Sequence, residues 1–152
     1  MPSLMASTIQ AWISQTGGNI EFVVTDGRGF DAAVQQLLSS LGMKDNTTVV
    51  GIDEIRSNRY NMQTKLLKLE YEPDDKRAYI LDDNGDPGVI WENIDDPRVL
   101  FKDPKFYAYR DKQICRSVDT ALLAWDGHNR ALQTIITTLK AADKPVYIFD
   151  NQ

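Results

Sequence analysis

Apolar runs alternate with helical periodicities along most of the chain. Ile20–Thr25 (IEFVVT) is β-branched and aromatic, with Gly17-Gly18 before it and Asp26-Gly27 after it. That pattern predicts a buried strand. From Phe30 to Leu41, the residues Phe30, Ala33, Val34, Leu37, Leu38 and Leu41 recur at helical spacing, and Gly42 sits where a C-terminal cap belongs. Thr47–Ile52 (TTVVGI) predicts a second buried strand. Strand, helix and strand together have the size of a βαβ unit.

The last third follows the same plan. Lys105–Val118 predicts a helix with Phe106, Tyr109, Ile114 and Val118 inward. Ala121–Trp125 (ALLAW) predicts a strand closed by Asp126-Gly127. Arg130–Ala142 predicts a helix with Leu132, Ile135, Ile136 and Leu139 on one face, and Val146–Phe149 (VYIF) a last strand. Near-continuous apolar strands between amphipathic helices imply a parallel sheet covered on both faces. The start allows two readings. Thr8–Ser14 is helical in pattern, while Ser3–Ala6 (SLMA) reads either as a short first strand or as part of that helix.

Residues 53–100 depart from this rhythm. Lys65–Tyr71, Ala78–Leu81 and Val89–Trp91 read as short strands, and Asn84-Gly85 is a turn signal between the last two. Ten acidic residues fall between Glu70 and Asp96, which predicts a water-facing insertion. The expectation is one Rossmann-like α/β domain over residues 1–152: three layers, a mostly parallel sheet, and an inserted acidic hairpin or meander at about residues 60–98.

Composition narrows the function classes. The chain has 152 residues, 42% apolar and 26% charged, as an ordinary globular domain does. A net charge of −5 disfavours non-specific attachment to nucleic acid or anionic membrane. The single cysteine, Cys115, cannot form an internal disulfide, which fits a reducing compartment. No apolar run approaches the ~18 residues of a membrane span. No signal-peptide pattern opens the chain. A cytoplasmic location is the expectation.

Two turns carry the candidate chemistry. Gly27-Arg28-Gly29-Phe30-Asp31-Ala32 fits G-x-G-x-x-A between a strand and a helix. Glycines there let backbone N–H groups approach an anion, and the helix N-terminus adds partial positive charge. Asp53 follows the next strand, near the place of a ribose-binding acid. Asp26 and Asp31 bring negative charge to the same turn, and Arg28 is bulky, so a smaller phosphate-bearing ligand fits better than a dinucleotide. A purely structural turn, with Asp31 as a helix cap, is the other reading. The second turn is Asp126-Gly127-His128-Asn129-Arg130, where an imidazole, an amide and a guanidinium could hold a phosphate or a base edge.

Other motifs lead nowhere. Asp82-Asp83-Asn84-Gly85-Asp86 lacks the glycine and glutamate that a calcium loop needs at its sixth and twelfth positions, which Pro87 and Asn93 occupy here. Cys115 has no second cysteine, and the chain has no zinc set and no evident cofactor. The aromatic residues read as core rather than as a nucleic-acid stacking surface.

FVVTDGRGFDAAVQQLLSSLG resembles the strand, glycine turn, aspartate and helix of the SLOG superfamily. These are Rossmann-like proteins that include LOG-type nucleotide phosphoribohydrolases and molybdenum-cofactor-carrier-like proteins. FYAYRDKQICRSVDTALLAWDGHNRALQTIITTLKAADKPVYIF is similar to the closing half of small phage- and plasmid-borne members. Tyr107 or Tyr109, Asp111, Asp119, Trp125, Asp126, Gly127, Lys144 and Pro145 stand at the matching places. IRSNRYNM (Ile55–Met62) is weakly similar to an Arg–Asn loop after the middle strand.

The resemblance implies a nucleotide or nucleotide-derived ligand at both turns. Taken with the chemistry of the two turns, the expected contacts are Gly27, Arg28, Gly29, Asp31, Arg56, Asp126, Gly127, His128 and Arg130. Members that cleave N-glycosidic bonds have Gly-Thr and a Glu entering the second helix, whereas this chain has Arg130-Ala131-Leu132-Gln133. Binding without evident catalysis is therefore the first expectation. An N-glycosidase or deoxyribosyltransferase using Asp31 or Asp53 is the second, and a mobile-element accessory protein acting through a protein partner is the third. By analogy with related domains, the chain is expected to form a homodimer.

Overall fold

The structure is a computed structural model that describes residues 3–124 and 130–149. It is a mixed α/β protein. In chain order the elements are α1 (Ser3–Thr16), β1 (Phe22–Thr25), α2 (Phe30–Ser40), β2 (Thr47–Gly51), α3 (Glu54–Ser57), β3 (Gln63–Leu66), β4 (Leu69–Glu72), β5 (Arg77–Leu81), β6 (Pro87–Trp91), α4 (Pro104–Ser117), β7 (Ala121–Ala124), α5 (Arg130–Ala141) and β8 (Val146–Phe149). Short 3-10 turns at Lys44–Asn46 and Pro97–Lys102 precede β2 and α4.

The start is helical, and the alternative of a first strand at residues 3–6 falls away. Met5 and Ile9 are buried one turn apart, and Trp12 and Ile13 continue the same face against the core. Leu4 is left 59% exposed. A period of 3.6 fits that distribution and a period of two does not.

β1, β2 and β3 form a parallel sheet in that order, with Val24 opposite Val49 and Val49 opposite Thr64. The segment read as one strand over Lys65–Tyr71 is two. It breaks after Leu66, and Leu67 donates its N–H to the Gly51 carbonyl at 2.9 Å. Burial of Leu67 turns the chain out of the parallel sheet. Residues 63–66 therefore belong to that sheet and not to the insertion.

β4, β5 and β6 form an antiparallel meander. Its Asn84-Gly85 turn is held by Asp82, whose carboxylate accepts the N–H groups of Asn84 and Asp86. The meander is more than a water-facing flap. Ala78, Ile80 and Trp91 on its inner face pack with Val50, Leu67, Leu100 and Phe106 into a second core. β7 and β8 pair in parallel as a third, two-stranded sheet, so the described strands form three separate ladders rather than one.

The first core joins α1, α2 and the inward side of β1 and β2 through Met5, Phe22, Val34, Leu38 and Val49. Leu122 and Ala124 of β7 lean on it. The second core lies under α4, where Phe106 is fully buried and Tyr109 and Ile114 add partial cover. Asp103 caps α4 by accepting the Lys105 N–H at 2.8 Å, and Pro104 occupies its first turn. Of the expected inward residues of α5, Ile136 and Leu139 are buried.

Candidate functional site

The carboxyl ends of β1 and β2 lie side by side, with Thr25 opposite Val50. The residues that follow both strands build the site. Asp26 is 3% exposed and ties the two ends together. Its Oδ2 accepts the N–H groups of Ile52 at 2.8 Å and Asp53 at 2.6 Å. Its Oδ1 lies 4.0 Å from the Arg110 guanidinium of α4.

Two glycines shape the first turn for different reasons. Gly29 takes φ of 72° as it enters α2, a conformation costly for side chains other than glycine's. Gly27 has ordinary φ but no room. A Cβ there would meet Asp31 Oδ2 at 3.0 Å and Thr25 Oγ1 at 3.1 Å. The Gly27 N–H donates to Thr25 Oγ1, and the Thr25 hydroxyl donates to Asp31. The Gln35 side chain donates to the Thr25 carbonyl at 2.8 Å.

Asp31 is therefore a lock within the turn. The residue that caps α2 is Gly29, with no side-chain cap, so the reading of Asp31 as a helix cap is corrected. Asp31 is not among the residues that line the cavity described next. Thr25 draws it beneath the turn, toward the charges of Arg110 and Asp111. Burial pushes the Asp31 carboxyl above the usual carboxylate range, against the lowering effect of the Thr25 hydroxyl and Arg110. Burial raises Asp111 likewise, opposed by its ion pair with Arg110 at 3.1 Å.

A cavity of about 180 Å³ opens above the turn, lined by Asp26, Gly27, Arg28, Gly29, Ala32, Gln35, Arg56 and Arg59. Three arginines thus line one cavity at the N-terminus of an 11-residue helix. Arg56 is aimed by its neighbours: Nε donates to the Asp26 carbonyl at 3.0 Å, and one terminal nitrogen lies 3.8 Å from Asp53. Arg28 and Arg59 are exposed at the rim. Guanidinium forks and a helix N-terminus both favour an anion.

A wider cavity, about 520 Å³, adjoins the first and shares Asp26 and Arg56 with it. Ile52, Asp53, Glu54, Ile55, Phe101 and Tyr107 complete its walls. Asp53 caps α3 by accepting the Arg56 N–H at 2.8 Å. That hydrogen bond, with the nearby guanidinium charge of Arg56, holds the Asp53 carboxyl below its ordinary range.

Of the residues expected from sequence, Gly27, Arg28, Gly29 and Arg56 line the first cavity and Asp53 lines the second. Arg130 is exposed at the start of α5. Asp126, Gly127 and His128 lie outside the described residues. Arg59, Phe101 and Tyr107 join the site without having been expected there. Arg59 stood within the quoted Arg–Asn loop. Tyr107 stood at one of the places that matched the family resemblance, without a contact assigned to it, whereas Phe101, in the Pro97–Lys102 turn, carried no local signal.

Among the described residues, no group of three or more His, Cys, Asp or Glu side chains is arranged to hold a metal ion. No helix among them is long and apolar enough to cross a membrane. Burial pushes the Cys115 thiol up, away from the reactive thiolate form. No protein family, curated protein or solved structure matches the chain.

Proposed function

We propose that this protein binds a nucleotide or nucleotide-derived phosphate ester at the carboxyl edge of its parallel sheet. The observation that carries the reading is the convergence of Arg28, Arg56 and Arg59 on one cavity at the N-terminus of α2. A cavity of about 180 Å³ suits a phosphate group and is too small for a whole nucleotide. The adjoining space supplies the remaining volume. The likeness of the first turn to the SLOG glycine turn supports the same ligand class, as does its position beyond the ends of parallel strands.

On this reading the fold is a Rossmann-like three-layer domain, in which β7 and β8 continue the sheet beyond β1. Contact of Leu122 and Ala124 with the core beneath β1 supports that placement.

An N-glycosidase or transferase activity has one observation in its favour. Asp53 is a carboxylate held ionised on the wall of the wider cavity, where an attacking or stabilising carboxylate would stand.

Calorimetric titration with inorganic phosphate and with adenosine monophosphate tests the binding. Both are expected to bind, and Arg59→Ala is expected to weaken both about tenfold, as for a lost charge-assisted hydrogen bond. Absence of binding by either ligand at millimolar concentration would overturn the reading. Release of free base from nucleoside monophosphates, lost in Asp53→Asn, would establish the catalytic form.

A further inference from the structure

The wider cavity has two kinds of wall. One is apolar: Ile52, Ile55, Phe101 and Tyr107. The other is lined by Asp26, Asp53 and Glu54, with Arg56 shared with the phosphate-sized space. Asp26 is saturated by backbone N–H groups and the nearby Arg110. Asp53 and Glu54 are the acceptors nearer to solvent.

The aromatic wall is built in advance. The Tyr107 hydroxyl donates to the Phe101 carbonyl at 2.7 Å. The rings of Phe101 and Tyr107 both pack on the fully buried Phe106, at centroid separations of 5.7 and 6.2 Å. The Arg110 guanidinium lies 5.1 Å from the Tyr107 ring centroid. Yet Phe101 and Tyr107 remain 40% and 37% exposed. Aromatic side chains fixed from behind and open in front offer a flat ligand contact area at little entropic cost.

We propose that the wider cavity receives an amino-bearing heteroaromatic ring of the same ligand whose phosphate sits among the arginines. The proposal rests on the phosphate reading above and adds the identity of the second moiety. Phe101 and Tyr107 contact the ring. Asp53 and Glu54 read its edge, because an ionised carboxylate accepts hydrogen bonds and donates none. An exocyclic amine meets them as a donor. A carbonyl at the same place sets one acceptor against another.

The test compares ligands that differ in that group alone. Adenosine monophosphate is titrated against inosine monophosphate, and cytidine monophosphate against uridine monophosphate, with inorganic phosphate as the common control. Each amino form is expected to bind at least about tenfold more tightly than its oxo partner. The double variant Asp53→Ser with Glu54→Ala keeps a capping hydroxyl for α3 and is expected to erase the preference. Phe101→Ala is expected to weaken both amino ligands about tenfold while leaving inorganic phosphate unchanged, which also shows that the variant is folded.

If phosphate binds but the amino and oxo forms bind alike, or if Phe101→Ala changes nothing, the ring assignment is overturned and the phosphate site stands. If phosphate itself fails to bind, both readings fall together.

Discussion

The Asp26 carboxylate accepts the backbone N–H of Asp53 at 2.6 Å, across the ends of two parallel strands. The same oxygen accepts the Ile52 N–H, and the Asp26 carbonyl accepts from Arg56. One residue after β1 thus sets the path of the chain after β2 and the aim of an arginine that lines the first cavity. Asp26→Ala is expected to destabilise the protein by on the order of 3 kcal/mol, since it strands two N–H groups and removes a carboxylate from beside Arg110. Asp26→Asn keeps an acceptor and is expected to cost less. Urea denaturation of the three proteins checks the order.

Asp31 supplies a prediction with a definite sign. Its carboxyl ionises at higher pH in the folded protein than in the unfolded chain, with burial as the main cause. Between those two values the folded state holds the extra proton. Stability is therefore greatest below the ordinary carboxylate value and falls as pH rises through the folded value. Asp31→Asn can still accept from Thr25 and carries no charge beside Asp111 and Asp26. It is expected to melt higher than the natural protein at neutral pH, with the gap closing in acid. A gap that is constant or inverted across that range contradicts the assignment.

Gly51 closes β2 where Ser57 and Asp26 crowd the backbone. A Cβ there would run into the Ser57 hydroxyl, and would lie 2.9 Å from Asp26 Oδ2. The serine can rotate, but the carboxylate is pinned by two N–H groups. Gly51→Ala is expected to cost about 1–3 kcal/mol, as for other overpacked sites. Gly51→Ala combined with Ser57→Ala is expected to recover part of that loss, measured by thermal unfolding.

Phe106 underlies both the second core and the aromatic wall. Phe106→Ala is expected to destabilise the fold by about 3–5 kcal/mol. Phe106→Leu retains most of the buried volume and is expected to cost less. Both are checked by chemical denaturation.

Much of this fold was legible in the sequence because burial writes itself into local periodicity. The inward faces of α2 and α5 follow from Val34 and Leu38, and from Ile136 and Leu139, each pair at helical spacing. The division between β3 and β4 was not legible. Residues 63–71 read as a single strand, and only the tertiary bond from Leu67 to Gly51 shows where the chain changes sheets. The site followed the same rule. Gly27, Arg28, Gly29 and Arg56 announced themselves beside strand ends, whereas Phe101 and Tyr107 reach the cavity through the long-range packing of the Pro97–Lys102 turn and α4. Asp31 misled because its spacing suits a cap, while the hydroxyl of Thr25, six residues earlier, captures it.

The proposed phosphate site requires Arg28, Arg56 and Arg59 to act together over the first glycine turn. Titration with inorganic phosphate, followed through the backbone amide and arginine side-chain N–H resonances, reads that site residue by residue. Saturable shifts are expected at Arg28, Gly29, Arg56 and Arg59, with little change in the meander. Saturable shifts confined to other residues, or none at millimolar phosphate, would contradict it.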